Sequence, residues 1–331
     1  MAYKISFLSS GPYGISPDMR IIKNNLLSAN PDCDFRFFSK NTSSQNPDEA
    51  KAMRNLKVNF CTDSENIICI DPSLPVRNMF DCKPYSRILI TVPYDYIFKN
   101  LINKPQDKKN SLTNFTHIIY TSPIAKKAVE GAFSTEGTEF TECVSPLAED
   151  ICCKKSINQT AKKLTRIYPQ IEGKKILSIV RTGSKFNAHT ANEFDLGAFM
   201  DCLNEEYIII TNADEILKKA HSIKNPQKER ILYISTMTSA SDLLYISDAL
   251  ITNSSHLVCT FAVKRQPLYH IDYCENHFID YMNSISSLSF PNQSCEISQQ
   301  ISEGTFDPSV CEELSYPNES HSADIINKLI R

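Results

Sequence analysis

Apolar residues along this 331-residue chain come in two alternating rhythms. Short, nearly unbroken apolar runs read as buried strands: Tyr3–Leu8, Asp34–Ser39, Ile67–Ile70, Arg87–Val92 and His117–Tyr120. Stretches of helical period separate some of them. Met19–Leu27 carries its apolar residues at Met19, Ile22, Leu26 and Leu27, and Pro47–Leu56 is similar. Ser122 and Pro123 open a helix running to Phe133, with Ser as cap and Pro at the first helical position. Ala148–Gly173 is polar and lysine-rich, helical in part, and has no core strand. A second series then begins: strand Lys175–Val180, helix Ala191–Leu203, strand Tyr207–Thr211, helix Asp214–Ala220 and strand Ile231–Ile234. Within Leu243–Asp272 the order is strand, polar turn, helix, strand. Asn283–Asn318 is rich in Ser, Pro and Asn and reads as loops. Ala323–Ile330 is a short amphipathic helix capped by Ser322.

Strand–helix alternation of this kind predicts α/β architecture with largely parallel sheets covered on both faces. Two separate series predict two Rossmann-like, doubly wound domains. The first covers 1–150 and the second 174–318, with 151–173 as linker and 319–331 as a C-terminal helix packing back on the first domain. Ligands of open parallel sheets sit beyond the carboxyl ends of the strands. Attention therefore falls on the loops that follow strands: Ser9–Ser16 with Ser10 and Gly11, Val92–Asp95 with Tyr94, Arg181–Phe186, Thr211–Asp214, Ser235–Ser239, and the turn Thr252, Asn253, Ser254, Ser255, His256. The last of these has a specific physics. A helix opening on small hydroxyl residues leaves backbone N–H groups without partners and carries partial positive charge, which suits a phosphate. Ser254 and Ser255 either cap that helix or turn their hydroxyls toward an anion. His256, protonated in the first turn, opposes the helix dipole, and a bound phosphate would offset it.

Composition narrows the function classes. Hydrophobic content of 41% and charged content of 22% are those of a globular protein. A net charge of -3 gives no electrostatic case for nucleic acid. No apolar run reaches membrane-spanning length, and Met1–Leu8 reads as a strand rather than a signal peptide, so a cytoplasmic location is expected. The 12 cysteines are scattered, with Cys152 and Cys153 adjacent and no C-x-x-C pair, which favours reduced thiols over a disulfide scaffold. No two cysteines stand at the C-x(2–4)-C spacing of a zinc site, so no metal or other cofactor is expected. No G-x-G-x-x-G or Walker loop occurs, which argues against a dinucleotide-binding fingerprint or a P-loop.

The segment SDALITNSSHLVCTFAVKRQP resembles the donor-binding segment of the CDP-glycerol glycerophosphotransferase family, teichoic-acid polymerases of two-domain glycosyltransferase-B architecture. The family pattern runs approximately s-D-v-L-I-T-D-Y-S-S, an apolar helix, then K-P and a strand. Ser247, Asp248, Leu250, Ile251, Thr252, one serine of the pair, Phe261, Ala262 and Pro267 match it. Asn253 stands for the family's Asp after Thr, and Thr260 for its Asp later in the helix. SPDMRIIKNNLLSANPDCDFRFFSK, HIIYTSPIAKKAVEGAF and EGKKILSIVRTGSK are similar to further family segments. In SPLAED, Pro146 and Asp150 keep the family's G-x-P-R-x-D.

This resemblance implies a nucleotide-linked donor, a glycan or polyol acceptor, and transfer of a phosphopolyol or sugar to a cell-surface polymer. It also implies peripheral contact with the inner membrane face; oligomeric state is left open. The family's W-H-G-T-P-x-K, whose His resembles a general base, is replaced by TVPYDYIFK, which sets Tyr94 at the His position and Asp95 beside it. A tyrosine, with its ordinary pKa of about 10, is a poor base near neutrality, whereas a carboxylate can take the proton of a hydroxyl. His221 fits the family's Leu-His-Pro only if a helical turn is inserted, and at a helix C-terminus it also reads as a dipole contact. Two other readings stand beside the transferase. One is a member that keeps the fold and binds a nucleotide or a partner without turnover. The other is a sialyltransferase-like enzyme using a CMP-linked donor, whose usual His-Pro pair is lacking here.

Overall fold

The computed structural model describes residues 4–9, 17–39, 66–70, 86–91, 116–132, 136–181, 194–223, 226–234, 238–270, 294–317 and 322–330. The expected helix Pro47–Leu56 lies outside them. Two compact units result, one of Met1–Glu149 with Tyr316–Arg331 and one of Asp150–Ser315.

The first unit holds a six-stranded, wholly parallel sheet. Its strands are β1 (Lys4–Ser9), β2 (Asp34–Ser39), β3 (Asn66–Ile70), β4 (Ser86–Thr91), β5 (His117–Tyr120) and β6 (Glu139–Glu142), in spatial order β2-β1-β3-β4-β5-β6. That is the flavodoxin-like 2-1-3-4-5 order extended by one strand. The edge strand β6 has no counterpart among the sequence expectations. Its side chains are mostly exposed, with Phe140 40% exposed and stacked on the buried Tyr120 at 5.2 Å. A strand paired on one side only buries no continuous apolar run, so its sequence carries little signal.

Helix α1 (Pro17–Ala29) buries Met19, Ile22 and Leu26, three of the four residues of the predicted stripe, against Ile5, Ile119 and Cys143. Helix α2 (Pro123–Ala132) is capped by Ser122, whose Oγ accepts from the Ala125 N–H at 3.0 Å. Helix α3 (Pro146–Cys152) has its first turn satisfied by Ser145 Oγ and by the buried Asp18 carboxylate, which accepts from the Leu147 N–H at 2.9 Å. The last helix in the chain, called α11 below (Ser322–Ile330), belongs to this unit. It packs Ile326 into the same core. Glu149 accepts from both the N–H and the hydroxyl of Ser322, and Asn30 donates to Asn327 at 2.9 Å.

The second unit begins within α3, at Asp150. Residues 151–173, expected as a linker, instead contribute α4 (Lys154–Ile167) and a 3-10 turn to this unit. Asp150 accepts from Ser156 and Tyr245, and Lys163 pairs with Asp242 at 2.8 Å. The sheet is again wholly parallel: β7 (Lys175–Val180), β8 (Tyr207–Thr211), β9 (Ile231–Tyr233), β10 (Ala249–Thr252) and β11 (Leu268–His270), ordered β11-β10-β7-β8-β9. Counted from β7, this is the 3-2-1-4-5 order of a nucleotide-binding fold. Its strands are nearly all apolar because helices cover both faces. These are α5 (Leu196–Cys202), α6 (Asp214–Ala220), α7 (Ala240–Ile246), α8 (Ser255–Phe261), α9 (Ser294–Glu303) and α10 (Val310–Leu314).

Helices α9 and α10 correct the expectation that Asn283–Asn318 is all loop. The stripe Ile297, Ser298, Ile301 is buried against Phe199 and Tyr269. Serines at two of its turns hide the helix in the sequence, because Ser favours turns as readily as helix interiors.

Candidate functional site

The order of the second sheet reverses between β7 and β10, and the crevice beyond the carboxyl ends of those two strands is where such folds take ligands. The strands are hydrogen-bonded neighbours, with Thr252 opposite Val180. Arg181 therefore follows one strand and Asn253 the other at the same edge. This brings two separately chosen sequence candidates to one place.

Side chains tie this edge together. The Arg181 N–H donates to Asn212 Oδ1 at 2.7 Å, and Asn212 Nδ2 donates back to the Arg181 carbonyl at 2.8 Å. This reciprocal pair locks the end of β7 to the end of β8. Arg181 Nη1 pairs with Glu215 Oε1 at 3.0 Å, with side chains 18% and 23% exposed. Glu215 Oε2 is buried with no hydrogen-bond partner among the described residues. Asp214 opens α6, where its charge suits the helix dipole, and accepts from the Tyr233 hydroxyl at 3.1 Å. Thr211 Oγ1 accepts from the Ala213 N–H.

At β10 the turn is self-supporting. Thr252 Oγ1 accepts from the Ser254 N–H at 3.1 Å, and Ser254 Oγ accepts from the Leu257 N–H at 3.4 Å. Of the two uses open to the serines, Ser254 takes the cap, and it is buried. Ser255 is the first helical residue and His256 the second. Farther along α8, Thr260 is buried, and its hydroxyl has no partner among the described residues.

Other candidates fall elsewhere. His221 caps the C-terminus of α6 and is exposed, its Nδ1 3.5 Å from Lys228 Nζ. Helix α6 starts at the carboxyl edge and runs back along the sheet for about 10 Å at 1.5 Å per residue. His221 thus falls on the amino-edge side, away from the Arg181 group, because a helix following a parallel strand must return. Tyr94, Asp95, Ser10 and Gly11 lie outside the described residues. Asp248 and Asp150, matched to the family pattern, do structural work: Asp248 Oδ2 accepts from the Ile176 N–H at 2.8 Å, and Asp150 binds Ser156 and Tyr245. Asn212 lies in the expected loop Thr211–Asp214; Glu215, just beyond it, is not among the sequence candidates, and its signal is a polar cluster, Asn-Ala-Asp-Glu, directly after a buried strand. Among the described residues no group of three or more His, Cys, Asp or Glu is gathered to hold a metal ion, and no helix is long and apolar enough to cross a membrane.

Two parallel sheets with these strand orders, one carrying a polar cluster at its switch point, define an α/β protein of glycosyltransferase-B type with Rossmann-like units. The chain belongs to the CDP-glycerol:poly(glycerophosphate) glycerophosphotransferase family, whose model matches residues 86–278, more than half of the chain. It is 20% identical over 287 residues to the teichoic acid poly(ribitol-phosphate) polymerase of Bacillus spizizenii, covering 83% of this chain and 46% of that protein. It is 23% identical over 187 residues to the teichoic acid ribitol-phosphate primase of the same organism, covering 53% of this chain and 47% of that protein. The chain thus spans about half the length of the curated relatives it matches. The solved structure of the wall teichoic acid polymerase TagF superposes with a TM-score of 0.63 at 14% identity, over 99% of this chain and 88% of that chain. That last likeness is one of fold.

Proposed function

We propose that the chain transfers a phosphopolyol, of the glycerol phosphate or ribitol phosphate kind, from a nucleotide-activated donor to a hydroxyl of a cell-surface polymer. The observation that carries this reading is the meeting of Arg181 and the Thr252–His256 turn at the switch point of a sheet that lies within the family match. The donor's diphosphate would lie against the first turn of α8, with the Arg181–Glu215–Asn212 group flanking it. Positive charge there stabilises a leaving nucleotide, since preorganised donors act where charge develops. In the reaction the acceptor oxygen bonds to the phosphorus bearing the polyol, the bond to the nucleoside monophosphate breaks, and the hydroxyl proton passes to a base. Asp95 is the proposed base, on its match to the family's His region. Work at the inner membrane face, through peripheral contact, belongs to the same proposal.

Replacement of the W-H-G-T-P segment by TVPYDYIFK, and of the two family acids by Asn253 and Thr260, supports a second reading: nucleotide binding without turnover. One set of experiments separates the two. Thermal melts with CDP, CMP, UDP and CDP-glycerol report binding, because a ligand at about 100 times its Kd adds roughly 2.7 kcal/mol to the folded state. Release of nucleotide from CDP-linked donors, with a polyol or glycan acceptor present, reports turnover. The Asp95→Asn chain is expected to bind as before and to turn over about 10²–10⁴-fold more slowly. Binding with no turnover under any donor would establish the second reading. No melting shift with any nucleotide at millimolar concentration would overturn both.

A further inference from the structure

Two helices of the second unit bring together a pair of thiols that nothing in their sequence contexts links. Cys202 ends α5 and Cys295 is the second residue of α9. Their Sγ atoms stand 2.9 Å apart, although 93 positions separate the residues along the chain. A sulfur–sulfur bond is about 2.05 Å long, so closing one requires the atoms to approach by less than about 1 Å.

The contact is held by its surroundings. Cys295, Ser298 and Ser302 are spaced three and four apart and share one face of α9. Ser298 Oγ donates to the Phe199 carbonyl at 2.6 Å. Ser302 Oγ donates to the Cys202 carbonyl and accepts from the Asn204 N–H, both at 2.9 Å. These bonds set the position of α9 on α5 from either side of the sulfurs. Tyr269 of β11 adds a hydrogen bond to Gln300 on the same helix. Both thiols are half-buried, so a small solute can reach them. Cys143 and Cys311 are buried, and burial pushes each thiol up to about 12; Cys202 is raised as well, first by its contact with Cys295 and then by burial.

The geometry points to Cys202 and Cys295 as a disulfide-forming pair, a site of reversible oxidation that staples α9 to α5. The oxidant is a low-molecular-weight disulfide. One cysteine loses its proton, and its thiolate attacks that disulfide to give a mixed disulfide and one small thiolate. The second cysteine, deprotonated in turn, attacks the protein-side sulfur and expels the other small thiolate. Two protein thiols are oxidised to one disulfide, one external disulfide is reduced to two thiols, and the two protons end on those thiols. The staple closes a loop that contains β8, β9, β10 and β11, together with the switch-point turn.

The test uses the full chain incubated with glutathione disulfide, alkylated with iodoacetamide, digested and mapped by mass spectrometry, with melting followed in parallel. A peptide joining Cys202 to Cys295 is expected, abolished by dithiothreitol and absent from Cys202→Ser and Cys295→Ser. The oxidised protein should melt about 5–10 °C higher than the reduced one. Mapping the unsubstituted chain keeps the proposal testable if either variant folds poorly. Glutathione adducts at other cysteines with no 202–295 peptide, or full alkylation of both thiols after oxidation, would overturn it.

Discussion

The two edges of the second sheet are built from the same five strands and carry opposite chemistry. At the carboxyl edge, helices begin, and what collects there is anionic or hydroxylic: Asp214, Glu215, Thr252 and Ser254, with Arg181 paired to Glu215. At the amino edge, helices end, and cations collect. Lys264 Nζ donates to the carbonyls of Leu244, Tyr245 and Ser247 at the end of α7. Arg230 donates to the carbonyls of Leu203, Asn204 and Tyr207 where α5 gives way to β8. The difference follows from the direction of the peptide dipole. Helix starts present N–H groups and favour acceptors, and helix ends present carbonyls and favour cations. At the amino edge, the long side chains of Lys264 and Arg230 take up carbonyls where α7 and α5 end. At the carboxyl edge, short side chains stabilise the loops, and in open parallel sheets this is the side on which ligands are held.

The comparison breaks first, if it breaks, at Lys264. Lys264→Met strips three carbonyls of their donor and should cost about 2–3 kcal/mol, seen as a lower urea midpoint at unchanged slope. An unchanged midpoint would mean the amino edge is not held by its cations. The same lysine predicts a pH effect. Burial holds its pKa below the ordinary 10.5, against the opposing pull of Asp248 and Cys152. Between that lowered pKa and 10.5 the unfolded chain binds the proton and the native chain does not. Stability relative to Lys264→Met should therefore rise with pH across that window and be flat below it. Urea titrations of both chains from neutral to alkaline pH check the sign.

At the opposite edge the expected loss is in binding. Arg181→Ala should weaken nucleotide binding about 10–100-fold, the range of a charge-assisted contact, and, by leaving Glu215 without its cation, should also lower the melting of the unliganded chain. Calorimetric titration with CDP measures it. Equal affinity would remove Arg181 from the site and confine its role to the Glu215 pair. Smaller still is the cap: Ser254→Ala should lose about 1 kcal/mol of stability, and Ser254→Gly only a few tenths. Least of all, Glu206→Gln breaks the Lys175–Glu206 pair, whose side chains are 50% and 44% exposed, and should shift stability by less than about 0.5 kcal/mol. A larger shift would show that even the solvated rim of the amino edge is load-carrying.

Legibility in the sequence tracked burial. Strands β7, β8 and β10 were readable because their central residues are buried and, Ser178 of β7 aside, apolar. The turn after β10 was readable because small hydroxyl residues between a buried strand and an apolar helix have few other uses. Helix α9 was not, since Ser298 and Ser302 look like loop residues until Phe199 and Cys202 supply acceptors from 99 and 100 positions away. Strand β6 was not, since its partner on one side is solvent. Glu215 went unremarked because its value lies in Arg181, 34 positions earlier in the chain.

Local pattern was sufficient for the α/β class and the parallel strands, because strand period, helix period and cap residues act over a few positions along the chain. It could not state that β10 lies beside β7 rather than beside β9. That pairing makes the switch point and brings Arg181 next to the Thr252 turn. Strand order is set by which apolar faces bury one another across long separations, a collective choice that no short stretch of residues encodes.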